Sequence, residues 1–255
     1  MKVTVFSEGK NPPKNEDSFA YDKSSFVVCD GSTGKRGGLY DGKTGGEIAA
    51  SLVAAAALQS QLNGVALVSH LTSVLHEKQA MLQESGHEVE LDTTLVCARI
   101  VGTQLIVTQV ADTAFRINES ETYENHAIID TLMSQTRAQY IELTHDIEGG
   151  RDYIMPLLLD EHTYRNNADS PAGYGVLNGD PVPAKFVKVH TFNLKDIRTL
   201  EIYTDGYFAV PVAATIKDYE ELHAKVQQED PHKYLAYPST KSNDDRTVMI
   251  VDFTQ

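Results

Sequence analysis

The run Phe26-Val27-Val28-Cys29-Asp30-Gly31 decides how this chain is read. A short apolar strand leads straight into a carboxylate, and the glycine behind it lets the chain turn sharply or present its carbonyl. The same context recurs along the sequence. Leu200-Glu201-Ile202-Tyr203-Thr204 runs into Asp205-Gly206, and Leu105 to Val110 runs into Ala111-Asp112. Asn243-Asp244-Asp245 stands directly before the closing apolar run Thr247–Phe253, and Glu16-Asp17 before the run that starts at Ser18. One Asp-Gly alone is ordinary turn chemistry. Several acidic residues, each at the end of an apolar strand, point to a site. If those ends converge, they make a carboxylate cage suited to hard cations such as Mg²⁺ or Mn²⁺.

Working outward, β-type runs are predicted at Lys2–Phe6, Ser18–Tyr21 and Ser25–Cys29. Helices follow at Gly46–Leu62 and Val65–Gln83, divided by Asn63-Gly64. Thr93–Val101 and Gln104–Val110 read as a hairpin around Gly102-Thr103, which Phe115–Ile117 extends. Residues 126–165 have helical spacing with a break at His145–Gly150, and Asn166–Pro183 reads as a long loop. Strands return at Lys185–Phe192 and Thr199–Tyr203, a helix at Ile216–Gln228, and a last strand at Thr247–Phe253. Strands at both ends with helices in two blocks favour an α+β class with antiparallel sheets over alternating βαβ units.

Composition narrows the function. The chain has 255 residues, enough to bury a large core without disulfide or metal staples. It shows no fixed-period repeat and no low-complexity tract, so a single domain over 1–255 is expected. Asp and Glu number 36 against 22 Lys and Arg, a formal charge of −14. That balance opposes a nucleic-acid groove, which needs clustered Lys and Arg, and suits cation binding. The N-terminal MKVTVFSEGKNPPKNEDSF carries no apolar run of signal-peptide length. The most apolar stretch, Ile48 to Leu58, falls far short of the ~20 residues that span a bilayer. With its two cysteines, Cys29 and Cys97, read as reduced buried thiols, the expectation is a soluble cytoplasmic protein without membrane partners.

Taken in order, NEDSF (15–19), VVCDGSTG (27–34), GGEIAAS (45–51), DTTLVCARI (92–100), VTQVADTAFRI (107–117), EIYTDGYF (201–208) and NDDRTVMIVDF (243–253) span nearly the whole chain. This ordered set resembles the metal-dependent type 2C protein Ser/Thr phosphatases, the PPM family, in a divergent bacterial form. The resemblance implies two antiparallel β-sheets packed as a central sandwich flanked by α-helices. It implies a binuclear Mn²⁺ or Mg²⁺ centre in which Asp30 bridges the ions and the Gly31 carbonyl is a further ligand. Asp205 and Asp244 would hold one ion, Asp244 being preferred to Asp245 for its spacing to Thr247. Glu16 and Asp17 would lie beside the other, and Asp112 with Asp205 would serve a third, weaker ion. Asp30 and Asp205 would then be catalytic through a hydroxide shared by the ions, which attacks phosphorus in line. The implied substrate is a protein phosphorylated on Ser or Thr.

The chain departs from the family at several places. Ser32 and Thr33 follow the Asp-Gly where many members carry a general-acid His. Pro12 stands at the phosphate-gripping Arg, with Lys14 or Lys10 as the replacement, and Ala111-Asp112-Thr113-Ala114 replaces Gly-Asp-Ser-Arg. These losses keep a second reading open, a phosphatase-like regulatory or binding module. A third comes from Gly37–Thr44, which matches the G-x₄-G-K-T phosphate loop of nucleotide hydrolases. That loop needs a strand ending at its first glycine, whereas GSTGKR (31–36) intervenes. A cysteine phosphatase would need C-x₅-R, and counting from Cys29 reaches Lys35.

Overall fold

The computed structural model describes residues 1–32, 34, 38–84 and 89–254. Within them the chain runs β1 (Lys2–Glu8), β2 (Ser18–Tyr21), β3 (Ser25–Cys29), β4 (Gly31–Ser32), α1 (Gly45–Gln59) and α2 (Gly64–Glu84). Next come β5 (Asp92–Thr93), β6 (Leu95–Val101), β7 (Gln104–Val110), β8 (Ala114–Ile117), β9 (Glu121–Tyr123), α3 (Ile128–Thr144) and α4 (Gly149–Asp160). The chain closes with β10 (Lys188–Asn193), β11 (Thr199–Tyr203), α5 (Ile216–Glu229) and β12 (Arg246–Asp252). One antiparallel sheet has the order β1-β12-β11-β8-β9 and the other β10-β7-β6-β3-β2, with β4 and β5 paired beside them.

The apolar run that ends at Asp30 explains the layering. Every residue of β3 is buried, and successive side chains of a strand point to opposite faces. Phe26 and Val28 meet Phe115, Ile117, Leu200, Ile202, Met249 and Val251 of the other sheet, forming the sandwich core. Val27 and Cys29 face the opposite way, onto Ala49, Ala50 and Val53 of α1 and Leu67 and Leu71 of α2. On the far sheet, Tyr203, Val248 and Ile250 pack beneath Tyr219 of α5. The predicted two-sheet sandwich flanked by helices is the architecture found. Among the described residues, no helix is long and apolar enough to cross a membrane.

Local chemistry sets the helix ends. Thr44 caps α1 by accepting from the Glu47 N–H at 3.1 Å, and Glu47 accepts from the Thr44 N–H at 2.9 Å, a reciprocal capping box. At the other end, buried Arg99 of β6 donates to the carbonyls of Ala57 (2.7 Å) and Leu62, and to Ser25 Oγ at 3.1 Å. A cation there answers the free carbonyls and the negative pole of the helix end. Two short strands escaped the sequence reading: β4, paired with β5, and β9, which holds to the sheet edge through Tyr123 stacked on Phe115 with ring centroids 4.5 Å apart. The long loop 166–183 is irregular, tied to the body by bridges Arg165↔Tyr174 and Thr93↔Leu177.

On β11, Glu201 points away from the sandwich core and is fully buried. It accepts from Arg116 Nε at 2.9 Å, from Arg116 Nη2, and from the Tyr219 hydroxyl at 2.8 Å. Removing one partner of such a pair leaves the other charged and unsolvated. Glu201→Ala is therefore expected to lower stability by about 3–5 kcal/mol, measured by urea denaturation. The paired change Glu201→Leu with Arg116→Met is expected to cost much less.

Candidate metal centre

Asp30 is gripped through its backbone. Its N–H donates to Thr94 Oγ1 at 3.0 Å, and its carbonyl accepts from the Thr94 N–H at 2.9 Å and from Thr93 Oγ1 at 2.8 Å. The Asp92-Thr93-Thr94 segment thus fixes where the Asp30 side chain starts. Gly31 lies backbone to backbone against the start of α1, where a Cβ would stand 2.4 Å from the Gly46 carbonyl oxygen and 2.5 Å from that of Glu16. Gly206 is as tightly placed, since its Cβ would fall 2.0 Å from the Asp245 carbonyl oxygen. Both Asp-Gly pairs are glycine-bound by close approach.

Thr204 couples three segments. Its N–H donates to the Thr247 carbonyl at 3.0 Å, its hydroxyl accepts from the Thr247 N–H at 2.9 Å and donates to Asp17 Oδ2 at 2.9 Å. Glu16, next along, accepts from Thr44 Oγ1 at 2.6 Å, so the α1 cap also orients a candidate ligand. Lys10 Nζ reaches Glu16 (3.2 Å), Asp244 (3.3 Å) and Asp245 (3.0 Å), and the Lys10 N–H donates to Asp245 Oδ1 at 2.8 Å. Lys241 Nζ forms an ion pair with Asp244 Oδ2.

These carboxylates feel one another. Burial and the charges of Asp17, Asp205 and Asp244 push Asp30 well above the usual carboxylate range. Burial and neighbouring acids likewise raise Asp17 to about 7 and Asp205 to about 7, although Asp205 keeps solvent contact in the cleft. Asp112 is raised by burial. Asp244 alone goes down: burial opposes its charge, but Lys241 and Lys10 outweigh it. The cysteines are free and buried, and burial raises both thiols, Cys97 to about 11. Neither has the depressed pKa of a thiolate nucleophile.

Asp30, Asp112, Asp205 and Lys241 all line one cleft of about 920 Å³. Its walls include Tyr174 from the loop, Arg165 just ahead of it, Lys185, Lys188 and His126. Lys14, the sequence candidate for phosphate, lies exposed in the Asn11–Lys14 bridge and is not part of that lining. Of the phosphate-loop match, Gly37 lies outside the described residues, as do Thr33, Lys35 and Arg36. Tyr40 and Lys43 exchange both backbone bonds (2.8 and 3.1 Å) across Asp41 and Gly42, each at positive φ. That is a tight primed turn, which spends the Tyr40 and Lys43 amides on each other.

Neither a family profile nor a curated protein matches the sequence. Solved structures do match. The serine/threonine phosphatase Stp1 from Staphylococcus aureus superposes with a TM-score of 0.56 at 16% identity, over 99% of this chain and 94% of that one. The Mycobacterium tuberculosis serine/threonine phosphatase PstP gives 0.55 at 16% identity, over 98% and 97%. The PPM Ser-Thr phosphatase MsPP from Mycobacterium smegmatis gives 0.52 at 14% identity, over 99% and 98%. The chain has the fold of the PPM Ser/Thr phosphatases.

Within this PPM fold, the donor chemistry fits a divalent cation. The set is all oxygen, burial and then the neighbouring acids raise Asp17, Asp30 and Asp205, and Asp17 Oδ1 is buried with no hydrogen-bond partner. Yet among the described residues no three acidic, His or Cys side chains converge closely enough to grasp an ion as they stand. Lys10 and Lys241 are the cations seen on Asp244. The sequence reading weighed Lys10 only as a phosphate ligand and missed Lys241. Its one signal was a lysine three residues ahead of a strand-end Asp.

Ala111, which stands where the resemblance expects glycine, has φ 62°. The left-handed conformation costs an L-residue about 1–2 kcal/mol, partly offset by the greater chain entropy a glycine loses on folding. Ala111→Gly is expected to raise stability by about 0.5–1 kcal/mol in urea denaturation. An unchanged or lower midpoint would contradict this.

Proposed function

We propose that this protein is a metal-dependent phosphoprotein phosphatase acting on phosphoserine and phosphothreonine, with a binuclear Mn²⁺ or Mg²⁺ centre. One observation carries the reading: Asp30 and Asp205, distant in sequence, line a single cleft with Asp112, and Asp30 lies close enough to Asp17, Asp205 and Asp244 to feel their charges. Their order along the chain is that of the PPM motifs, and the fold is shared. Asp30, the Gly31 carbonyl, Asp205 and Asp244 would hold the ions, with Glu16, Asp17 and Asp112 around them. Bound there, such ions supply a water acidic enough to attack phosphorus near neutral pH.

The chain's own residues would do the rest. Thr93 and Thr94 hold Asp30 in place, and Thr204 does so for Asp17. Arg165, Lys185 and Lys188 give the cleft wall positive charge for a phosphate dianion, although Arg165 also pairs with Asp92 at 2.7 Å. His126, against Glu124 at 3.2 Å, is the cleft residue suited to carry a proton to the departing alkoxide. His162 bonds to the Leu159 carbonyl outside that lining. Free buried thiols support a cytoplasmic location. A phosphatase-like binding module without turnover is the second reading, favoured by the two lysines on Asp244.

Hydrolysis of p-nitrophenyl phosphate is expected to need added Mn²⁺ or Mg²⁺ and to vanish in chelator. Asp30→Asn and Asp205→Asn are each expected to lower turnover by more than about 100-fold with the far-ultraviolet circular dichroism unchanged. Full activity in chelator would exclude the metal-dependent reading, and no activity with either ion would favour the binding module. His126→Gln is expected to slow phosphoserine peptides by about 100-fold and p-nitrophenyl phosphate by less than about tenfold, since phenolates leave without a proton. Equal losses on both substrates would remove His126 from that role.

A further inference from the structure

Lys241 is not a loosely tethered surface lysine. The loop that delivers it is bound from several sides. Buried Arg137 of α3 donates from Nη1 to the carbonyls of His232, Lys233 and Ser239, each at 3.0 Å, and from Nη2 to Ser242 Oγ at 3.0 Å. Arg151 of α4 donates to the Thr240 carbonyl at 2.6 Å. Asp230 accepts from the N–H groups of Tyr234, Leu235, Ala236 and Tyr237 at 2.8–3.1 Å. The residues on both sides of Lys241 are therefore fixed, and its side chain enters the cleft lined by Asp30, Asp112 and Asp205. There Nζ pairs with Asp244 Oδ2, while Lys10 takes Oδ1 of the same carboxylate at 3.3 Å. Both oxygens of a candidate metal ligand are engaged by ammonium groups. The charge of Lys241 also acts on Asp30, Asp112 and Asp205.

We propose that Lys241 is a built-in cation of the carboxylate cluster, its ammonium taking the place beside Asp244 that a divalent ion would otherwise take. The chain then binds one metal ion fewer than its acidic residues would hold without this lysine. This rests on the metal-dependent reading above and changes one ligand of it: with Asp244 held by Lys241 and Lys10, the ions are left to Asp30, the Gly31 carbonyl and Asp205, with Glu16, Asp17 and Asp112 around them. An ammonium offers a single compact positive charge and three donors, which suits carboxylate oxygens. A divalent ion needs the same oxygens and repels the ammonium, so the two do not share Asp244. A tethered cation has no dissociation step, and chelators do not remove it.

The test counts bound ions and does not depend on turnover. Intact protein is stripped with chelator, dialysed and titrated with Mn²⁺, and free Mn²⁺ is followed by its electron paramagnetic resonance signal. Lys241→Met is expected to bind one Mn²⁺ per chain more than wild type, or to bind its last ion at least tenfold more tightly. Lys241→Arg, which keeps the charge, is expected to match wild type. Equal number and affinity in wild type and Lys241→Met, with Mn²⁺ bound by both, would overturn the proposal and leave the metal-dependent reading standing. No Mn²⁺ on either protein would overturn both. Circular dichroism follows folding throughout, and if Lys241→Met is unfolded when stripped, Lys241→Gln takes its place under the same criteria.

Discussion

The burial and crowding of Asp17, Asp30, Asp205 and Asp244 is the constraint on which the rest of the structure turns. Burying carboxylates beside one another opposes folding, and here burial first, then the neighbouring charges, raises Asp17, Asp30 and Asp205 above the usual carboxylate range. What holds them is a set of threonines. Asp30 is fixed by Thr93 and Thr94, and Thr204 ties Asp17 to β12. The apolar faces of β3 and β11 anchor these backbones in the sandwich core. The sandwich supplies the rigidity, and cations relieve the charge.

The two sheets divide the work. The sheet containing β3 carries Asp30 at its end and packs α1 and α2 on its outer face. The sheet containing β11 and β12 carries Asp205 and Asp244, with α5 behind it. The site therefore forms only when the sheets are face to face, and the core that joins them also sets the distances between the acids. The polar cluster Arg116–Glu201–Tyr219 lies on the outer face of the second sheet, away from the cleft.

Most of the fold was legible because it rests on short-range patterns. Ser25–Cys29, Gln104–Val110 and Thr199–Tyr203 are apolar runs bounded by turn residues, and each is a strand with those bounds. Of the two missed strands, Gly31–Ser32 is a two-residue pairing with β5, and Glu121–Tyr123 is short and polar at a sheet edge, where pairing with β8 decides its state. The carboxylates of the cleft were legible as a recurring context, strand end plus acid. Lys241 was not, because nothing local marks a lysine that a distant arginine delivers: its placement depends on Arg137, about a hundred positions earlier. Lys14 shows the opposite failure, a residue chosen by proximity in sequence that the chain leaves on the surface.

Ala111 has one more consequence. A backbone angle of φ 62° is held there by a residue that does not favour it. A penalty of about 1 kcal/mol is small against the 5–15 kcal/mol that typically separates folded from unfolded chains. An alanine can thus hold a backbone conformation that glycine adopts more readily without endangering the fold. The residues agree with those of the phosphatase structures at only 14–16% of positions, while the path of the chain superposes over nearly its whole length.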